Sequence, residues 1–143
     1  MALIKTVRGW TPKIGKNCFL AENATIVGDV KIGDDCSIWF NTVIRGDVNW
    51  IKIGNKVNIQ DGAVLHTLYE KSTIEIGDSV SIGHNAVIHG AKIHDRVLVG
   101  IDQMISPTIR SNTARSPLEW KVYCGSTVPV FNPPSSSKTR LTC

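Results

Sequence analysis

The chain has 143 residues, with 16 Lys/Arg against 12 Asp/Glu and a net charge of +4. That is ample for one domain with a real core and too short for two comfortable ones. Residues 101–143 hold five of the basic and two of the acidic residues, so the first hundred carry a net of only +1. No basic run with interleaved aromatics appears, which excludes a nucleic-acid-binding face. No apolar run approaches the length that spans a bilayer, and MALIKTVRGW is interrupted by Lys5 and Arg8 where a signal peptide would be continuously apolar. The expectation is a soluble, cytoplasmic protein with no membrane or nucleic-acid partner.

A six-residue periodicity begins near the N-terminus. Aliphatic residues stand at Ile14, Leu20, Ile26, Ile32, Ile38 and Ile44. The pattern resumes after three inserted residues at Ile53, Ile59 and Leu65, and after five more at Ile76, Ile82 and Ile88. One residue is then dropped before Ile93 and Val99. Two positions before most of these comes a small or β-branched residue, such as Cys18, Ala24, Val30, Cys36, Thr42, Val57, Ala63 or Ala86. Residues two apart on a strand share a face, so each hexad sends two side chains inward and then turns. Gly, Asn and Asp tolerate corner backbone angles, which accounts for GKN, GDD, GNK and GDS. A sandwich of short strands would recur at irregular spacing and does not produce six unbroken hexads. Three such faces close one eighteen-residue coil, and stacked coils form a parallel β-helix. Cys18 and Cys36 occupy equivalent inward positions and are expected to be reduced, buried and inert; no cysteine spacing suits structural zinc.

Grouping the hexads in threes gives coils led by Ile14/Leu20/Ile26, Ile32/Ile38/Ile44, Ile53/Ile59/Leu65 and Ile76/Ile82/Ile88. Arg45, His66 and His89 each follow the third aliphatic residue of a coil and therefore share one corner. Within IRGDV, Arg45 and Asp47 are close enough to pair with each other, or to bind opposite charges across an interface. Within NIQDG, Asn58, Gln60 and Asp61 surround Ile59, and Gln60 shares the corner of His84. Its amide there could hydrogen-bond a metal-bound water or a substrate oxygen. Adjacent strands lie about 4.8 Å apart, so His66 and His89 stack one rung apart with parallel side chains. His84 follows Ile82 by two and lies at the preceding corner, on the order of 15–20 Å away along the face. It completes the same site only from a neighbouring subunit, and a closed three-fold ring supplies one neighbour per corner pair. Three imidazoles and one open position make a divalent metal catalytic by lowering the pKa of bound water to about 7. His94, after Ile93, reads as a solvated turn residue.

VIRGDV, NIQDGAVLH and SIGHNAVIHG, with the hexads around them, resemble the gamma-class carbonic anhydrase-like family over residues 9–100. The resemblance implies an all-β, left-handed parallel β-helix (hexapeptide repeat) and a carbonic anhydrase-like lyase acting on carbon dioxide and bicarbonate. It implies a homotrimer with zinc at subunit interfaces, Fe2+ or Co2+ being alternatives, held by His66 and His89 of one chain and His84 of the next. Arg45 and Asp47 would form an intersubunit ion pair. Asn58, Gln60 and Asp61 would line the site, with Gln60 orienting the hydroxide or carbon dioxide. Active members of the family carry acidic proton carriers just after the Arg-x-Asp segment and in a long loop after the first metal histidine. Here Val48 follows Asp47, and the short loop TLYEKST offers only Glu70. The competing readings are hexapeptide-repeat acyl transfer with one histidine as general base, a metal-dependent thioester hydrolase, and a non-catalytic trimeric assembly protein.

Residues 1–105 thus form one β-helix domain. From residue 106 the sequence changes character: 106–143 hold five of the six prolines, no hexad and no amphipathic helix. The expectation for this tail is an irregular, disordered segment or the product of a reading-frame shift near Gly100.

Overall fold

Short strands of alternating inward and outward residues are the first level of this fold. The computed structural model describes residues 1–106, together with the backbone of 121–123. The strands in chain order are β1 (Leu3–Lys5), β2 (Lys13–Ile14), β3 (Phe19–Leu20), β4 (Thr25–Ile32), β5 (Ser37–Ile38), β6 (Val43–Ile53), β7 (Asn58–Ile59) and β8 (Val64–His66). They continue as β9 (Ile74–Ile76), β10 (Ser81–Ile82), β11 (Val87–His89), β12 (Lys92–Ile93), β13 (Val97–Val99), β14 (Met104–Ile105) and β15 (Lys121–Tyr123). All strand pairs are parallel, and they wind into the predicted left-handed β-helix. Among the described residues there is no helix, hence none long and apolar enough to cross a membrane. The expectation for the tail falls outside the described residues, apart from Ser106 and the backbone of β15, which pairs with β13.

The registers give three inward columns. The first face stacks Ile14, Ile32, Ile53, Ile76 and Ile93. The second stacks Leu20, Ile38, Ile59, Ile82 and Val99. The third stacks Ile26, Ile44, Leu65, Ile88 and Ile105. From the second coil onward these residues are almost all buried, and with Ala24, Val30, Cys36, Val57, Ala63 and Ala86 they form one continuous core. Thr42 occupies an inward position with its hydroxyl donated to the Gln60 carbonyl at 3.0 Å, so its polar atom is satisfied. Cys36 is buried and its thiol is pushed up to about 11 by burial, which leaves it an inert core residue. Cys18 is only half-buried, because β3 is the terminal strand of its sheet.

The glycines of the first corner serve a different purpose from the one their composition suggests. The left-handed conformation at the first corner is adopted by the third residue after each aliphatic: Asn17, Asp35, Lys56, Ser79 and Arg96, with φ between 55° and 56°. Gly33 and Gly54 stand two positions earlier, where the coils approach most closely. A Cβ on Gly33 would lie 2.6 Å from the Gly54 carbonyl oxygen, and one on Gly54 would lie 2.7 Å from that of Gly77. These glycines permit backbone stacking, and the left-handed angle falls on Asn, Asp, Ser, Lys or Arg.

The outward columns distinguish the three faces. The first face presents Lys13, Lys31, Lys52, Glu75 and Lys92. The second presents Phe19, Ser37, Asn58, Ser81 and Leu98. The third presents Leu3, Thr25, Val43, Val64, Val87 and Met104, a predominantly apolar column that the described residues do not cover completely. The spacing of aliphatic residues is six across the first and second corners throughout, while across the third it runs Ile26 to Ile32, Ile44 to Ile53, Leu65 to Ile76 and Ile88 to Ile93. All changes in length therefore fall on the third corner.

Two substitutions separate stacking from backbone conformation. Gly54→Ala is expected to destabilise by about 1–3 kcal/mol through overpacking. Lys56→Gly is expected to be neutral or to stabilise by up to about 1 kcal/mol, since it removes left-handed strain at the cost of chain entropy. Urea unfolding of both variants beside the parent checks the pair.

Candidate metal centre

At the third corner the parallel register places Arg45, His66 and His89 on consecutive rungs. The His66 and His89 rings stand with centroids 5.4 Å apart and 34° between their planes. This is the stacking that the six-residue spacing predicts. β6 passes this corner through Gly46, where a Cβ would come within 2.6 Å of the Asp29 carbonyl oxygen. Gly46 permits this close stacking on the coil beneath, and beside it Arg45 Nη1 donates to Asp47 Oδ2 at 2.9 Å. Of the two arrangements open in the sequence, the pairing within one chain is thus available.

Asp47 Oδ1 lies 3.3 Å from His66 Nε2, yet neither buried atom has a hydrogen-bond partner. The distance alone would suit an ion pair, but only with a protonated imidazole. Burial holds the His66 pKa below its ordinary value; Arg45 and His89 push in the same direction, and Asp47 opposes them. The neutral, misaligned contact is the better description. A buried imidazole nitrogen and a buried carboxylate oxygen left unsatisfied side by side are costly in isolation. A divalent cation would relieve both, and neutral imidazole is the form that binds one.

His84 lies at the second corner with Nδ1 3.1 Å from Asp61 Oδ2. A carboxylate beside Nδ1 favours a proton there and leaves Nε2 as the free donor, the usual support for a metal-binding histidine. Gln60 precedes Asp61 and is fixed by its backbone: its N–H donates to Ile82 O at 2.9 Å. Asn58 is placed differently. Its Oδ1 accepts from Ser37 Oγ at 2.8 Å and from Trp39 Nε1 at 2.7 Å, and its Nδ2 donates to Ser81 Oγ at 3.2 Å. The amide braces the second face, a role that the motif alone did not disclose. His94 is exposed, as expected of a turn residue.

The chain therefore brings together Arg45, Asp47, His66 and His89 at one corner, and Gln60, Asp61 and His84 at another. Among the described residues of a single chain, no three His, Cys, Asp or Glu side chains converge to hold a metal.

Fold and repeat define a hexapeptide-repeat β-helix chain: residues 11–46 match the family described as bacterial transferase hexapeptide (six repeats). The likeness to carbonic anhydrases carried by VIRGDV, NIQDGAVLH and SIGHNAVIHG is borne out by curated relatives. The chain is 59% identical over 92 residues to the "Probable carbonic anhydrase" of Methanocaldococcus jannaschii, covering 64% of this chain and 57% of that protein. It is 46% identical over 103 residues to the "Carbonic anhydrase" of Geobacillus kaustophilus, covering 72% of this chain and 56% of the relative. A crystal structure from Bacillus cereus, provisionally named an acetyltransferase, superposes with a TM-score of 0.67 at 29% identity, covering 92% of this chain and 83% of that one. The chain thus spans a little over half the length of these curated relatives.

In metal-free protein, His66 should titrate below the ordinary histidine value of 6.5. Its folded pKa is depressed, so the fold binds fewer protons than the unfolded chain there. The associated stability is present above the ordinary value and is lost as pH falls through the folded one. Arg45→Ala should raise the His66 midpoint and Asp47→Asn should lower it further, as read from imidazole resonances by NMR.

Proposed function

We propose that this chain is one subunit of a cytoplasmic, metal-dependent carbonic anhydrase-like homotrimer that hydrates carbon dioxide at its subunit interfaces. One observation carries this reading: His66 Nε2 is buried and unpartnered in a stacked histidine pair, while the third histidine faces out from the adjacent corner. The face joining those corners bears the column Leu3, Thr25, Val43, Val64, Val87 and Met104, which the described residues cover only in part. Three chains turning that face toward a common axis would bury it and bring the second corner of each to the third corner of the next.

In this reading His66 and His89 of one chain and His84 of its neighbour hold Zn2+, with Fe2+ or Co2+ as alternatives. When bound, the ion supplies Lewis acidity and makes water acidic enough to furnish hydroxide near neutral pH. Asp61 fixes the His84 ring from behind. Gln60, at the same corner, is the candidate to hydrogen-bond a substrate oxygen. Arg45 and Asp47 form the charged rim and re-pair across the interface. Asn58 stiffens the wall beneath through its three hydrogen bonds. The likeness to the Bacillus cereus structure favours acyl transfer as a second reading; that chemistry needs one histidine and no metal, so metal content separates the two.

Removal of one ligand from either side tests the shared site. His66→Ala or His84→Ala alone should lose stoichiometric metal, and mixing the two variants under subunit exchange should restore part of it. Such mixtures pair the intact His66 and His89 of one chain with the intact His84 of another. No recovery in verified mixed trimers would rule out a site shared between chains.

Among the described residues, proton export has no evident internal carrier. Glu70 is exposed on its loop, and the Tyr69 ring lies under Arg8 with Cζ 5.7 Å from its centroid. Hydration should therefore be slow and rise with buffer concentration, as stopped-flow indicator assays across a buffer series would reveal. A fast rate independent of buffer contradicts this.

A further inference from the structure

Three large side chains of the second face gather at its outer edge. Phe19, Trp39 and Phe40 are 47%, 37% and 39% exposed, and their rings follow one another at 5.1 Å and 6.5 Å. The Trp39 indole donates to Asn58 Oδ1 at 2.7 Å, so the group is held in place before anything meets it. A contiguous, pre-ordered aromatic patch is the usual form of an interface anchor.

Its position in the coil stack indicates the occupant. Backbone bonds from Gly62 to Phe40, from Asn85 to Asp61 and from Asp102 to His84 place these acceptors in one column, a rung apart. The other corner carries the column Val27, Arg45, His66 and His89. Both columns share a rise of about 4.8 Å per rung. Once His84 is level with the gap between the partner's His66 and the partner's His89, everything beneath falls into step. Phe40, two rungs lower, arrives between the partner's Val27 and the partner's Arg45.

We propose that Phe40, backed by Trp39 and Phe19, anchors the contact with a second copy of this chain by packing on the partner's Val27 and on the guanidinium of the partner's Arg45. This rests on the shared-site reading above. The guanidinium is suited to the role: its side chain is 46% exposed, and it bonds Asp47 through Nη1, leaving its planar face open. An aromatic ring against that face is a favourable cation–π contact. Phe40 is accordingly a positioning residue, holding the Arg45 guanidinium beside His66 from across the interface.

The test measures self-association of the full chain by sedimentation over a concentration series, with zinc stoichiometry at each point and circular dichroism as the check of folding. The parent should be trimeric. Phe40→Ala should require at least tenfold more protein for half-assembly and should lose zinc in parallel, regaining both at high concentration. Phe40→Trp should retain assembly, and Trp10→Ala, on the charged first face, should leave it unchanged. If Phe40→Ala does not fold, Val27→Asp probes the same contact from the other side and should weaken assembly likewise. A parent that is monomeric throughout overturns the trimer reading and this inference together. A trimeric parent whose assembly is unaffected by folded Phe40→Ala or Val27→Asp overturns the anchor alone.

Discussion

Parallel backbone pairing between successive coils, kept in register at every turn, is the constraint on which the rest of this structure depends. Each rung must meet the next with its inward residues aligned, because a slip of one residue would exchange inside for outside along the strand. Ile26, Ile44, Leu65 and Ile88 satisfy that condition on the third face, as Ile38, Ile59 and Ile82 do on the second. The same alignment applies to side chains that take no part in the core. His66 and His89 face each other because Leu65 and Ile88 are stacked, and Arg45 lies beneath them because Ile44 does.

The proposed site is divided by the geometry of the prism. A prism edge can carry a column of donors, but the convex surface there leaves one side of any bound ion open. His84 cannot reach that side from its own corner, where Asp61 supports it. On the shared-site proposal, the half-sites stand on separate edges of one chain and their union requires a second chain. On that proposal, the orphaned contact between Asp47 and His66 is one such half by itself.

Much of this was legible in the sequence because a fixed period converts residue number directly into position. The coils, the buried aliphatic columns, the stacked histidines and the separate corner of His84 all follow from counting in sixes. What counting does not give is which atoms a side chain engages. Asn58 reads as a site residue from NIQDG, but the neighbouring Ser37, Trp39 and Ser81 occupy its amide. The corner glycines read as conformational hinges, whereas Gly33 and Gly54 are needed for close stacking and Lys56 takes the left-handed angle. The half-buried apolar column on the third face and the Phe19–Trp39–Phe40 group could have been found in the sequence by following the residue beside each aliphatic. Their signal is weak there, since a valine or an aromatic residue in a strand is ordinarily assigned to the core.

The confinement of every change in chain length to the third corner has a consequence for how this scaffold can vary. Two edges of the prism behave as fixed rails, and the third, which carries Arg45, His66 and His89, accepts extra residues after Arg45 and after His66. Loops there can lengthen, shorten or change composition while every core contact is preserved. Arg45, His66 and His89 precede the segments of variable length and stay on the strands β6, β8 and β11. The loops at that edge and the stability of the shaft are thereby free to change separately, and the surroundings of the proposed site become an interchangeable part.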